Sequence, residues 1–141
     1  MTTTTLGKDI NQVCWSVQTD YSSEMGIAMF WVLPPGHHRH KENVVIGQAS
    51  LGIEGNKALI DIRIDGTYQN RQIGTLLVMF VENWAVKHGI KTIYGDISKV
   101  DSDHLKTLRH FYTKLGFKFD LFHASQIKGN IVGHIEKTIG N

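Results

Sequence analysis

The sequence predicts an α/β domain built on a mixed, largely antiparallel sheet with helices packed on it. Ahead of Gly66, apolar and polar residues alternate or run continuously in short segments of strand length, bounded by turn signals. After that point the period switches, and two helical stripes are separated by single strands. No Pro/Gly/Ser-rich linker and no internal repeat divides the 141 residues, so residues 1–141 read as one domain.

The elements follow in order. Thr2 to Thr5 are low in complexity, and the first nine residues are expected to be frayed. Val13, Trp15 and Val17 alternate with Cys14 and Ser16, as in a half-buried strand. The apolar run from Gly26 to Leu33 ends at Pro34, Pro35 and Gly36, which marks a buried strand stopped by a turn. The residues from Gly36 to Asn43 form a polar loop. A third strand covers VVIGQASLGI, EGNK is a hairpin turn, and ALIDIRID places Ile60, Ile62 and Ile64 on one face. Ile73, Leu76, Leu77, Phe80, Val81, Trp84 and Ala85 then mark one wide helical stripe, closed by Gly89. IKTIYGDI returns as a strand. Asp101, Ser102 and Asp103 offer cap oxygens to a second helix carrying Leu105, Leu108, Tyr112 and Leu115, which stops at Gly116. FKFDLFH and NIVGHIEKTI supply the last two strands.

Composition narrows the function classes. A hydrophobic fraction of 41% and a charged fraction of 20% are ordinary for a globular chain. A formal net charge of +2, with the basic residues dispersed, gives no footprint for nucleic acid. The longest apolar run is too short to span a bilayer, and the start lacks a secretory pattern, so a cytoplasmic protein is expected. Cys14 is the only cysteine and can form no internal disulfide. His37, His38 and His40 crowd one loop, but they lack helical i, i+4 spacing and cysteine partners. That loop reads as solvated, and no metal is assigned.

The stretch YQNRQIGTLL, residues 68–77, carries the first chemical clue. It leads a strand through a basic turn into a helix N-terminus, where unpaired amides and a partial positive charge suit a phosphate or pyrophosphate. Arg71 adds a charged donor, and Gly74 leaves its Cα open to close approach by a ligand. Taken alone, the pattern also describes plain strand-turn-helix architecture. The second clue is LRHFYTKLGFKF, residues 108–119, in which Tyr112 sits near the end of a helix that stops abruptly. A phenol held there can give a proton to a leaving thiolate, or simply pack its ring in the core.

Together, residues 44–119 resemble the GCN5-related N-acetyltransferase (GNAT) family. Its turn signature reads Arg or Gln, two residues, Gly, one residue, then Gly or Ala. Gln69, Asn70, Arg71, Gln72, Ile73 and Gly74 match it except at Gln72. The family's second signature is matched from Tyr112 to Phe117. The resemblance implies an acyl-CoA N-acyltransferase fold, with acetyl-CoA as cosubstrate in a V-shaped opening between the ALIDIRI and IKTIYGDI strands. It implies that backbone groups of Ile62 and Ile64 meet the pantetheine. Gln69 and the segment Arg71, Gln72, Ile73, Gly74 and Thr75 would hold the pyrophosphate, and Gln72 is expected to sit there in helical φ/ψ. Tyr112 would be the general acid after direct attack by an amine of a small molecule or peptide.

Two departures accompany the match. The helices that family members carry between their first and second strands, walling the acceptor site, have no room here, since only QTDYSSEMG separates those strands. The acceptor side is then open, or completed by a second copy in a homodimer. No Glu or His stands early on the KALIDI strand as general base, and Asp61 is the nearest candidate. A solvated strand carboxylate is the plainer reading of Asp61. The sequence therefore leaves a second function class, a non-catalytic acyl-CoA-binding or protein-interaction domain on the same scaffold.

Overall fold

A computed structural model describes residues 2–35, 46–64, 72–127 and 129–140. Eight strands form one sheet in the order β1-β2-β3-β4-β5-β6-β8-β7. They are β1 (Thr2–Lys8), β2 (Cys14–Ser22), β3 (Ile27–Leu33), β4 (Gly47–Glu54), β5 (Lys57–Ile64), β6 (Thr92–Ser98), β7 (Lys118–Leu121) and β8 (Ile131–Thr138). Helix α1 (Ile73–Lys87) links β5 to β6, and α2 (Leu105–Lys114) links β6 to β7. Every strand pair is antiparallel except β5 with β6. A parallel neighbour requires a crossover, and α1 supplies it.

The amino terminus departs from the expectation of fraying. Thr2–Lys8 pairs with β2 from Thr2/Thr19 to Lys8/Cys14, with a bulge between Thr5 and Gly7. The turn that follows is pinned by buried Asp9. Its carboxylate accepts hydrogen bonds from the amides of Asn11 (2.8 Å) and Val13 (3.1 Å) and from Trp15 Nε1 (2.8 Å). Gly7 (φ +141°) lets the strand pass α1, since a Cβ there would stand 3.2 Å from Leu76 Cδ2. Tertiary contacts of this kind override the weak signal of a threonine run.

Both helices lie on one face of the sheet. Lys137 on β8 shows this, because its Nζ reaches Glu82 of α1 at 3.0 Å and the Leu115 carbonyl closing α2 at 2.6 Å. The core forms between these helices and the inward residues of the strands, including Val17, Phe30, Ala49, Leu51, Ile60 and Ile93. From α1, the residues Ile73, Leu77, Val78, Val81 and Ala85 are buried. Each such Ile, Leu or Val side chain contributes about 1.5–3 kcal/mol on burial. No residue of α2 is fully buried; Leu105, Leu108, Phe111, Tyr112 and Leu115 pack on the core while partly exposed. The opposite face of the sheet carries no helix among the described residues. A four-residue turn, Ser23–Gly26, joins β2 to β3, with Gly26 N donating to the Ser22 carbonyl.

The acidic cap expected for α2 takes a different form. A 3₁₀ segment, Lys99–His104, runs directly into the helix, the cap position falls on His104, and no side chain caps it. Val44 and Val45, together with the histidine loop, lie outside the described residues.

Candidate active site

The parallel pairing of β5 and β6 ends early. It runs only from Lys57/Thr92 to Leu59/Tyr94, although β5 continues to Ile64 and β6 to Ser98. Two close approaches fix which way the backbone of β5 points. A Cβ on Gly95 would stand 3.0 Å from the Ile60 carbonyl oxygen, and one on Gly47 would stand 2.9 Å from that of Arg63. Ile60 therefore directs its carbonyl toward β6 and Arg63 toward β4. Polar backbone groups alternate between the two edges of a strand, so Ile62 and Ile64 turn theirs toward the side that β6 has left. The result is an opening in the middle of the sheet, edged by main-chain donors and acceptors.

Helix α1 begins beside this opening. Its first intrahelical bond runs from Leu76 N to the Gln72 carbonyl (3.1 Å). No side chain caps the helix, and its first turn contains no acid. The amides of Ile73, Gly74 and Thr75 precede that first bond and so lack helical partners. Gln72 differs from its expected helical φ/ψ. It adopts φ 67°, ψ 12°, the left-handed region that glycine occupies without strain. The family motif has glycine at this position, and the backbone geometry supplies the reason. Gln69 and Arg71 lie outside the described residues.

Gly74 has a different local role from the one its sequence position suggests. The place of its absent Cβ is met by the Phe111 ring at 3.4 Å and by Ile64 Cγ1 at 3.7 Å. That side of the residue packs α1 against α2 and β5 and does not face open space. Tyr112, the neighbour of Phe111, is partly buried against the core. Its ring lies edge-on to Phe111 and Phe117, with centroids 5.0 and 5.6 Å away. Its carbonyl accepts from Phe117 N at 2.9 Å, which fixes the turn out of α2. Asp61 stands on the helix-free face, exposed, with its Oδ2 3.7 Å from Arg63 Nε. An ion pair this exposed is weak and leaves the carboxylate solvated.

The helix-free face also holds a recess of about 360 Å³ that the sequence did not disclose. It is lined by Lys57, Tyr94, Asp96, Phe122, His134 and Glu136. The outward positions of β6 and β8 alternate as Tyr94, Asp96 and His134, Glu136, a pattern visible in the sequence. Their being neighbours depends on β8 returning beside β6, which periodicity alone does not give.

These features coincide with a family match. The model of the acetyltransferase (GNAT) family matches residues 9–117. The chain belongs to the GNAT family. The GNAT domain of S. lividans PAT superposes with a TM-score of 0.71 at 8% identity, covering 96% of each chain. A paia N-acetyltransferase from Thermoplasma acidophilum, solved in complex with coenzyme A, gives 0.61 at 23% identity. That likeness covers 82% of this chain and 63% of the other. At such identities the likeness concerns the fold. An uncharacterized protein of Bacillus subtilis (strain 168), YocC, is 35% identical over 57 residues, which is 40% of this chain and 34% of YocC. The match thus spans about a third of that relative. The fold is the acyl-CoA N-acyltransferase fold of this GNAT family, here with eight strands and, among the described residues, both α-helices on one face.

Proposed function

We propose that the protein transfers an acetyl group from acetyl-CoA to a primary amine by direct attack, in the cytoplasm. The observation that carries this reading is the early end of the β5–β6 pairing beside the uncapped start of α1. The main-chain edge at Ile62 and Ile64 would bond the pantetheine and polarise the thioester carbonyl. Gln69 and the amides from Arg71 to Thr75 would hold the pyrophosphate. A cofactor anchored at α1 on the helix side and passing through the gap presents its acyl end toward the other face, so the amine arrives there. Its nitrogen forms a bond to the carbonyl carbon, the carbon–sulfur bond breaks, and the Tyr112 hydroxyl gives its proton to the departing thiolate. The ammonium proton leaves to Asp61 or to water on the same face. Positioning and carbonyl polarisation carry most of the rate gain in such a two-substrate reaction.

A second reading, a non-catalytic acyl-CoA-binding or protein-interaction domain, is favoured by the exposed, ion-paired state of the one candidate base, Asp61. Calorimetric titration with acetyl-CoA, beside thiol-release assays over a panel of amines, separates the two. Binding together with thiol release supports acetyl transfer. Binding without turnover, unchanged by Tyr112→Phe, supports the second reading. A second copy of the chain completing the acceptor side would appear as a dimer in sedimentation.

A further inference from the structure

We infer that the recess on the helix-free face binds the cationic tail of the acceptor, and that the acceptor is an aliphatic amine bearing a second positive charge. This rests on the acetyl-transfer reading for its site, but the chemistry of the recess is its own. Tyr94 pairs with Leu59 in the last register before β5 and β6 part, so the recess opens at the edge of the gap. Cross-strand pairs Tyr94/Glu136 and Asp96/His134 put these four side chains side by side on one face.

The recess brings two carboxylates, Asp96 and Glu136, together. Glu82 is held by Lys137, Asp61 lies 3.7 Å from Arg63 Nε in an exposed pair, and Asp120 lies 3.9 Å from His134 Nε2. Asp96 and Glu136 have no hydrogen-bond or ion-pair partner among the described residues. Aromatic groups form the walls. Phe122 is fixed by its amide, which donates to the Val132 carbonyl at 2.8 Å, and its ring lies 5.5 Å from that of His134. Lys118 of β7 stands across from Glu136 without an ion pair to it. Two carboxylates outside any ion pair among the described residues, set between aromatic rings, suit an alkylammonium group, which gains both charge pairing and contact with ring faces. Lys57 lines the opposite end, in register with Thr92. It repels a cation from that end and concentrates the favourable field beside Asp96, on the side where the sheet opens. A volume of about 360 Å³ matches a small-molecule site.

The test is titration of the full chain, loaded with free CoA, with three amines of equal length: 1,4-diaminobutane, 4-aminobutanol and 4-aminobutanoate. The diamine should bind at least tenfold more tightly than either of the others. Asp96→Asn and Glu136→Gln should each weaken the diamine by roughly five- to tenfold, with little change for the amino alcohol. Equal affinity for the three, tighter binding of 4-aminobutanoate, no binding of the diamine, or a preference that survives both substitutions would overturn the proposal. CoA affinity and thiol release read the acetyl-transfer step separately. If CoA does not bind, the same three titrations on the free protein still decide the charge preference of the recess.

Discussion

The Phe111 ring stands 3.4 Å from the place where a Cβ on Gly74 would be, so the second helix packs directly on the first turn of α1. That relation couples the proposed pyrophosphate cradle to the helix bearing Tyr112. An alanine methyl at position 74 meets Phe111 at ordinary contact. Gly74→Ala should therefore fold normally and gain about 0.5 kcal/mol from helix propensity and a stiffer unfolded chain. Gly74→Val drives branched methyls into Phe111 and Ile64 and should lose about 1–3 kcal/mol. Urea unfolding midpoints check both.

Gln72 holds a left-handed conformation that costs a side-chain-bearing residue roughly 1–2 kcal/mol. Gln72→Gly removes that strain and gives back part of it as unfolded-chain entropy. A net gain of about 0.5–1 kcal/mol in unfolding free energy is expected. Acetyl-CoA affinity should be retained or improved, because the proposed donors there are backbone amides. A loss of stability in the glycine variant would contradict the assigned geometry.

Tyr112→Phe keeps the ring contacts with Phe111 and Phe117 and removes only the hydroxyl. Turnover should fall about 100-fold or more while acetyl-CoA affinity changes less than about twofold. Equal losses in both would point to a structural role instead.

Asp61 is solvated and only loosely tied to Arg63, so as a proton acceptor it adds little to what water offers. Asp61→Asn should slow acetyl transfer by no more than about tenfold. A far larger drop in steady-state turnover, at unchanged acetyl-CoA affinity, would make it the dominant base.

Lys137 ties α1, α2 and β8 together through Glu82 and the Leu115 carbonyl, with side-chain exposures of 25% for Lys137 and 17% for Glu82. Lys137→Met leaves a half-buried carboxylate without its cation and opens the C-terminal end of α2. The expected loss is about 2 kcal/mol, read by thermal or urea unfolding. Glu82→Gln, which keeps a hydrogen bond to the ammonium, should lose less.

Most of the strands and both helices were legible because each buries a single face. The Ile60, Ile62, Ile64 alternation fixed β5, and the stripe from Ile73 to Ala85 fixed α1. Thr2–Lys8 was missed because its pairing depends on β2 and on the Asp9 turn, neither of which leaves a mark on a threonine run. The strand Val13–Val17 proved longer, reaching Ser22, because its continuation pairs with β3 through Ile27.

The candidate site divides along the same line. The sequence by itself determined the family, the strand-turn-helix at residue 72 and the helix carrying Tyr112, since these are local patterns with fixed spacing. Only the tertiary structure decided that β5 and β6 part after Leu59 and Tyr94. It alone made Gln72 left-handed, turned Gly74 against Phe111, and gathered Asp96 and Glu136 beside Tyr94. Periodicity reports which face a residue takes within its own element. Where strands separate, and which residues then meet across them, depends on packing between segments far apart in the chain.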